Sequence, residues 1–216
     1  MTDPIDVLIV DDQKLFADLL ARVLDDADDI RVVAIAGTVA DGCAAAREYP
    51  ADVVLMDFRL PDGNGTDAVR QILAESPETK VIMVTASEDE SVFLSAMEAG
   101  CAGFLKKSSA LDDLENSVRA AAGGEALIPA STLTRVLATI ATDGRGTVRP
   151  DLSPRELEIL QLTAQALTNA QIAENLHLSV KTVRNHLQNI LWKLESHSKL
   201  EAVTVATRRG LVTLGA

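Results

Sequence analysis

The first half of the chain contains four apolar runs that each end in a polar or charged residue. The clearest run, Val53–Met56, ends at Asp57, and the turn sequence Leu60–Gly63 follows closely. The other three runs end at Asp11-Asp12, Thr85 and Lys106-Lys107. Helical periodicity separates the runs, and alternating strands and helices predict a parallel sheet with helices on both faces. All strands of such a sheet share one carboxyl edge, where ligands gather, so we expect these side chains to converge.

Asp57 taken alone supports two interpretations. An aspartate between a strand and a Pro-Gly turn commonly caps the turn with its carboxylate. In the same way, Thr85 alone fits a helix cap, and Phe104 alone fits an ordinary core aromatic. The joint placement of carboxylates, a hydroxyl and lysines at one sheet edge favours a functional site instead.

Length and composition indicate two domains and no membrane segment. At 216 residues the chain can form two domains that each bury a core. No apolar run reaches the roughly 18 residues of a membrane span, and no signal segment precedes the first strand, so we expect a cytoplasmic protein. Cys43 and Cys101 lack metal-ligand spacing, which predicts buried, reduced thiols.

Formal charge is divided unevenly along the chain. Residues 1–125 contain 25 acidic and 10 basic residues, whereas residues 126–216 contain 7 acidic and 10 basic residues. The overall charge of −12 therefore conceals a mildly basic second half. We expect only that half to meet a polyanion such as nucleic acid.

The alternating pattern stops near Gly123-Gly124, and a different organisation follows. A helical pattern after Pro129 precedes the breaker-rich segment 142–150, which predicts an interdomain linker. A capping box at Ser153 then begins a helix, and caps at Thr168 and Ser179 begin two more. The sequence thus predicts an α/β domain over 1–125, a helix and linker over 126–150, and an all-helical helix-turn-helix domain over 151–216.

The acidic residues at the strand ends predict a metal site. Three carboxylates at one point repel one another unless a cation holds them, and Mg²⁺ prefers one or two carboxylates with water and phosphate oxygens. We expect Asp12 and Asp57 to bind Mg²⁺ directly and Asp11 to bind it through water. Such a site suits phosphoryl transfer, with Asp57 as the nucleophile and with Lys107 and Thr85 contacting phosphoryl oxygens.

These motifs resemble the receiver domain of bacterial two-component response regulators, specifically the NarL/FixJ type, which carries a LuxR-type DNA-binding domain. The receiver pattern is an acidic pair, an acceptor Asp, a Thr or Ser, and a Lys at successive strand ends, and all five positions are filled here. The resemblance implies an α/β doubly wound, five-stranded parallel sheet of order 2-1-3-4-5. It also implies that the backbone carbonyl of Arg59 contacts the metal and that Phe104 is the switch aromatic. The family string and the side-chain alternation of a strand both favour Lys107 over Lys106 as the phosphate-contacting lysine.

The second half resembles the LuxR-type helix-turn-helix domain. The matching strings are Leu152–Glu156, Thr168–Ala173 and Leu178–His186. The resemblance implies that the helix beginning near Val180 enters the major groove. Helical spacing places Val183, Leu187, Ile190 and Leu194 in the core and a polar face outward. The candidate DNA-contacting residues are Lys181, Thr182, Arg184, Asn185 and Gln188. We expect Trp192 to pack near the core.

Two positions depart from the LuxR-type pattern. The family often has Gly where this chain has Ala166 and Glu195, so a left-handed turn at either position is open to alteration. The predicted C-terminal helix, residues 200–209, presents Leu200, Val203, Thr204 and Ala206 to a core or a partner. The family resemblance implies that this helix forms the DNA-bound dimer.

The resemblance implies a transcriptional regulator rather than a metabolic enzyme. A sensor histidine kinase would phosphorylate Asp57, and phosphorylation would switch homodimerisation and binding to double-stranded promoter DNA. One alternative is a phosphate-independent DNA-binding regulator whose first domain dimerises or senses a ligand. Another is an aspartate-nucleophile phosphatase, which normally has a second Asp where this chain has Arg59.

Overall fold

A computed structural model describes residues 3–87, 89–108, 110–111, 113–128, 132–134, 136–137 and 152–212. The chain forms two compact units, Met1–Leu127 and Ile128–Ala216. Within the helical pattern predicted after Pro129, Leu133, Val136 and Leu137 are helical and buried. Pro129, Ile140 and the predicted linker over 142–150 lie outside the described residues.

The first unit contains a five-stranded parallel sheet and a short antiparallel hairpin. Its strands are β1 (Ile5–Val10), β2 (Ile30–Ala36), β3 (Val53–Asp57), β4 (Arg59–Leu60), β5 (Gly63–Asn64), β6 (Lys80–Thr85) and β7 (Gly103–Lys106). The large sheet has the order β2-β1-β3-β6-β7, and β4 pairs with β5 in the hairpin. Counted over the parallel strands alone, this is the predicted order 2-1-3-4-5, which is confirmed.

In the described part of this unit, four helices connect the strands and a fifth follows β7: α1 (Lys14–Asp25), α2 (Val39–Glu48), α3 (Gly65–Glu75), α4 (Glu90–Glu98) and α5 (Leu114–Ala122). One face of the sheet packs against α1 and α5, where Ile9 and Leu55 form a core with Leu20, Leu24 and Val118. The alternate strand residues are equally buried, as central parallel strands require. On that second face α2 packs against β1, and a Cβ added at Gly42 would lie 2.9 Å from Cγ1 of Val10.

Helix α1 buries one apolar stripe against the sheet and leaves two leucines exposed. The residues that face the sheet are Ala17, Leu20, Ala21 and Leu24. Leu15 and Leu19 continue the apolar sequence pattern, yet their relative exposures are 86% and 41%. An apolar surface therefore remains on the side of α1 that faces away from the sheet.

Over residues 152–212 the second unit consists of helices joined by turns. The helices over these residues are α6 (Pro154–Ala164), α7 (Asn169–Leu176), α8 (Val180–Leu194) and α9 (Lys199–Arg208). Ser153 and Glu156 form the predicted capping box of α6, and Thr168 and Gln171 form another at α7. Helix α9 packs against α6 and α8, and Leu200, Val203, Thr204 and Ala206 are all buried. No helix in the described parts of the chain is long and apolar enough to span a membrane.

The turns of the second unit keep left-handed backbone despite the missing glycines. Ala166 has φ 61°, and Glu195, which ends α8, has φ 54°. His177, at the end of α7, also has φ 54°. A left-handed conformation costs an L-residue about 1–2 kcal/mol, so the turn geometry is preserved at the expense of stability.

Candidate functional site

Three carboxylates lie together at the carboxyl edge of the sheet. Asp11 follows β1 directly, and Asp57 is the last residue of the neighbouring strand β3. Both are buried, with relative exposures of 3% and 5%, whereas Asp12 is exposed. One carboxylate oxygen from each of the three lies within 4.8 Å of the others. The predicted convergence of strand ends thus brings the acidic residues into one cluster.

Lys107 joins two of these carboxylates. Its Nζ lies 2.6 Å from Oδ2 of Asp11 and 2.7 Å from Oδ2 of Asp57. The backbone N–H of Lys107 donates to the carbonyl of Thr85 at 3.0 Å, which holds the lysine at the end of β6. Lys106, in contrast, is exposed on β7. Of the two lysines considered from the sequence, the geometry places Lys107 at the carboxylates.

Burial and charge act against each other in this cluster. Burial raises the pKa of Asp57 above its usual range, although the hydrogen bond and charge of Lys107 oppose that rise. Burial by itself would lower the pKa of Lys107, but its hydrogen bonds to Asp11 and Asp57 outweigh that effect and raise it. Three carboxylates with one ammonium leave a local excess of negative charge. Carboxylate oxygens in such an excess are a suitable donor set for a hard divalent cation.

The Lys107 side chain also contacts an aromatic ring from α1. Its Nζ lies 5.0 Å from the centroid of Phe16, within the usual range of a cation–π interaction. Phe16 is half-buried and packs against the core beneath α1. Sequence reasoning did not identify Phe16, because it lies four residues after the acidic pair and far from Lys107 along the chain.

Thr85 and Phe104 link this edge of the sheet to α4. Thr85 Oγ1 accepts a hydrogen bond from the Ser87 N–H at 3.0 Å, so its hydroxyl now organises the turn before α4. Phe104 packs edge-to-face on Phe93 of α4, with ring centroids 4.9 Å apart. Both rings are buried. The contact with Phe93, which the sequence did not predict, couples β7 to α4.

An open pocket exposes the cluster to solvent. Its lining residues are Asp12, Gln13, Asp57, Arg59, Thr85, Ala86, Ser87 and Lys107. The Arg59 N–H approaches Oδ1 of Asp57 at 3.3 Å. Gly65 begins α3 directly behind β3, and a Cβ there would overlap the carbonyl oxygen of Asp57. Only glycine fits that position without displacing the Asp57 backbone, because the Cβ contact would be with main chain.

Helix α8 presents the polar face that its spacing predicts. Val183, Leu187, Ile190 and Leu194 are buried, as expected. The candidate DNA-contacting residues Lys181, Arg184, Asn185 and Gln188 are all exposed. Thr182 is half-buried, and its hydroxyl lies 2.7 Å from the Ser179 hydroxyl at the helix cap. The four exposed residues are therefore better placed than Thr182 to contact a ligand.

The expectation that Trp192 packs near the core is wrong. Its relative exposure is 81%. Trp192 follows Gln188 by four residues and Asn185 by seven, so it lies on their face of the helix and opposite the buried row. An indole thus extends the polar face of α8 by one turn.

Ionic and backbone contacts fix α7 and α8 on α6. Lys193 Nζ lies 2.8 Å from Oε2 of Glu156, which also accepts from the Ser153 N–H at 2.7 Å. Arg155 donates to the carbonyl of Leu176 at the end of α7 at 2.8 Å. The capping bond between Ser153 and Glu156 was predicted, whereas the contacts of Lys193 and Arg155 carried no sequence signal.

Comparisons with known proteins match both units. Residues 7–119 match the response regulator receiver domain, and residues 150–206 match the luxR family of bacterial regulatory proteins. The transcriptional regulatory protein LiaR of Bacillus subtilis is 34% identical over 95% of this chain and 98% of LiaR. The response regulator protein VraR of Staphylococcus aureus is 31% identical over 96% of this chain and 99% of VraR.

A solved structure gives the same assignment. The crystal structure of the response regulator ChrA, from a heme-sensing two-component system, matches with a TM-score of 0.52 and 31% identity. The match covers 97% of this chain and all of the ChrA chain. This chain therefore belongs to the two-component response regulators, with a receiver domain followed by a LuxR-type DNA-binding domain.

Proposed function

We propose that a sensor histidine kinase phosphorylates Asp57 and that phosphorylation switches homodimerisation and promoter binding. The observation that carries this proposal is the position of Lys107 Nζ, 2.7 Å from the Asp57 carboxylate at the open pocket. A buried carboxylate beside a fixed ammonium is placed to accept a phosphoryl group and to have the new charge neutralised at once.

The transfer begins with attack of an Asp57 carboxylate oxygen on phosphorus. A P–O bond to Asp57 forms as the P–N bond to the kinase histidine breaks, and the imidazole leaves with the bonding electron pair. Lys107 then pairs with a phosphoryl oxygen, and the Thr85 hydroxyl donates a hydrogen bond to another. Asp12 and Asp57 would hold Mg²⁺ directly, Asp11 would hold it through water, and the Arg59 carbonyl would also contact it. With the ion bound, the site would gain positive charge that neutralises the phosphoryl oxygens and helps to orient the donor.

The switch is the recruitment of Thr85 to the phosphoryl group. Thr85 Oγ1 now accepts from the Ser87 N–H, so rotation of the hydroxyl toward phosphate would release the turn before α4. Phe104 packs on Phe93, and we infer that it moves with the surface of α4 around residues 92–99. The β6–α4 turn and this aromatic pair would then be the two-state element.

The output is binding of α8 to promoter DNA in the cytoplasm. Arg184 suits a bidentate contact to guanine, Asn185 a contact to adenine, and Lys181 a phosphate or base edge. Gln188 and Thr182 complete the proposed contact set. A homodimer would place two such helices on paired half-sites.

The test uses the full chain with Mg²⁺ and phosphoramidate, a small phosphodonor that requires no kinase. Intact mass should show one added phosphoryl group on the wild type and none on Asp57→Asn. Duplexes that bind the protein are selected from a random-sequence pool, and the same samples are then titrated onto the selected duplexes. Phosphorylation should raise the affinity of the protein for these duplexes. Phosphate on Asp57 without any change in DNA binding would contradict the regulatory proposal. A folded wild type that never incorporates phosphate would favour a phosphate-independent regulator.

A further inference from the structure

We propose that Asp62 is a positioning residue for the divalent-cation site, because it connects the β4–β5 hairpin to the first turn of α2. The inference deepens the proposed function and rests on it, since the proposed metal contacts include the Arg59 carbonyl in this hairpin. Asp62 lies at the exposed turn between β4 and β5. Its Oδ1 accepts a hydrogen bond from the Val39 N–H at 2.7 Å, and its Oδ2 accepts one from the Ala40 N–H at 3.0 Å. Both carboxylate oxygens therefore hold one helix end.

The first turn of α2 is completed by this carboxylate. The N–H groups at the start of a helix have no acceptor within the helix. Thr38, the N-cap, accepts from the Asp41 N–H at 3.0 Å. Asp62 accepts from the two preceding N–H groups, and these bonds from Ala40 and Val39 lower the pKa of its carboxyl below the usual range. Because a helix N-terminus is partially positive, hydrogen bonding and charge both favour the contact.

The segment before α2 lies against the acidic pair that follows β1. The Asp11 N–H donates to the Ala36 carbonyl at 2.9 Å. A Cβ added at Gly37 would lie 3.9 Å from Cα of Asp12, which is ordinary van der Waals contact. These contacts fix the start of α2 beside the acidic pair. Asp62 therefore connects the acidic pair, through the start of α2, with the hairpin that follows β3.

The hairpin is short, so the contact at its turn matters for the position of Arg59. It contains two residue pairs, and a two-stranded hairpin is only marginally stable by itself. At its base, Leu60 is buried and the Gly65 N–H donates to the Phe58 carbonyl at 2.9 Å. Asp62 holds the opposite end. Because Mg²⁺ demands near-ideal octahedral geometry, a hairpin that is free at its turn would hold the Arg59 carbonyl less well for the ion.

The cation affinity of the full chain tests this role. Mn²⁺ is the probe, because it takes the same oxygen ligands as Mg²⁺, and the electron paramagnetic resonance signal of free Mn²⁺ measures binding. Asp62→Ala should raise the dissociation constant about 10-fold, the scale on which the loss of a group that orients a ligand weakens metal binding. Asp62→Asn keeps one acceptor oxygen and should raise it about 3-fold. Asp62 is exposed, so both variants should fold, and circular dichroism checks this.

Two control variants in the same turn separate positioning from helix capping and from charge. Thr38→Ala removes the other side-chain acceptor of the turn, so it should lower the melting temperature yet keep the Mn²⁺ dissociation constant within about 2-fold of the wild type. Asp41→Asn removes an exposed carboxylate and should stay within the same range at about 0.15 M ionic strength. Equal weakening by Asp62→Ala and by either control would overturn the positioning role.

Phosphorylation of the same samples separates this inference from the proposed function. With phosphoramidate, and with incorporation read by intact mass, Asp62→Ala should need about 10-fold more Mg²⁺ for half-maximal incorporation and should keep the wild-type rate at saturating Mg²⁺. Wild-type Mn²⁺ affinity in Asp62→Ala, or a wild type that binds no Mn²⁺, would overturn the role of Asp62 whether or not Asp57 accepts phosphate. A 10-fold loss of Mn²⁺ affinity without phosphate on the wild type would support that role and contradict the proposed phosphoryl transfer.

Discussion

Lys107 Nζ lies 5.0 Å from the centroid of the Phe16 ring while its ammonium bridges the carboxylates of Asp11 and Asp57. A cation–π contact of this kind contributes about 0.5–1 kcal/mol. The aromatic face of α1 therefore helps to hold the ammonium beside Asp57, the proposed phosphoacceptor.

Replacement of Phe16 by leucine should slow phosphorylation of Asp57. Phe16→Leu removes the ring but keeps an apolar side chain, so incorporation of phosphate from phosphoramidate should fall about 2- to 5-fold. Phe16→Tyr keeps the π face and should retain the wild-type rate. Rates are measured by intact mass well below the melting temperature of each variant. Equal rates in the leucine and tyrosine variants would show that the ring contributes packing alone.

Lys107 should stabilise the receiver domain most when divalent ions are absent. Lys107→Met leaves two buried carboxylates without their ammonium, which should lower the free energy of unfolding by roughly 3 kcal/mol. Mg²⁺ should stabilise this variant more than the wild type, because the ion no longer competes with Lys107 for the carboxylates. Lys106→Met, at the exposed neighbour, should change stability by less than about 0.5 kcal/mol. Urea denaturation with EDTA or Mg²⁺ tests these three expectations, and equal Mg²⁺ stabilisation of all three proteins would contradict the second.

Topology explains why the grouping of Asp57, Thr85 and Lys107 was predictable from the sequence. Parallel strands must bring Asp57, Thr85 and Lys107 to one edge wherever their side chains then point, so strand ends alone identified them. Phe16 and Phe93 were missed because each contact joins residues distant along the chain and depends on helix placement. Trp192 was assigned to the wrong face because it lies close in sequence to the buried Ile190 and Leu194. Its spacing from Asn185 and Gln188 places it on their exposed face instead.

The ion pair between Glu156 and Lys193 should make the DNA-binding domain sensitive to acid. Burial would raise the pKa of Glu156, but the bonds from Lys193 and Ser153 outweigh it, so the pKa lies below its usual range. The associated stability is present above the unfolded pKa of about 4.3 and is lost as pH falls through the lower folded pKa.

Glu156→Gln removes this charge and should lower the free energy of unfolding at pH 7 by about 1.5–3 kcal/mol. The difference between variant and wild type should shrink as pH falls below about 4.3. Guanidinium denaturation of both proteins between neutral and acidic pH measures that difference. A difference that stays constant across the range would mean that the capping hydrogen bonds, rather than the charge, carry the stability.

Glycine at the two left-handed turns should stabilise the second domain. Ala166→Gly and Glu195→Gly relieve a conformational cost of about 1–2 kcal/mol, and the added freedom of the unfolded chain offsets about 0.4–1 kcal/mol of that gain. A net increase of about 0.5–1 kcal/mol is expected for each. Glu174→Gly, on exposed helical backbone in α7, should instead destabilise by about 1 kcal/mol. Thermal unfolding would contradict the strain argument if all three glycines lowered the melting temperature alike.

Trp192 should report DNA binding because it is the only tryptophan of the chain and is 81% exposed. In the free protein its emission should be that of a solvated indole, readily quenched by acrylamide. Its position on the face of Lys181, Asn185 and Gln188 means that duplex DNA along that face should shield the ring and reduce quenching. Lys181→Ala should weaken the shielding at a given DNA concentration and lower the salt dependence of binding by about one charge. Quenching that stays unchanged at saturating DNA would place the duplex on a different surface and remove α8 from the proposed interface.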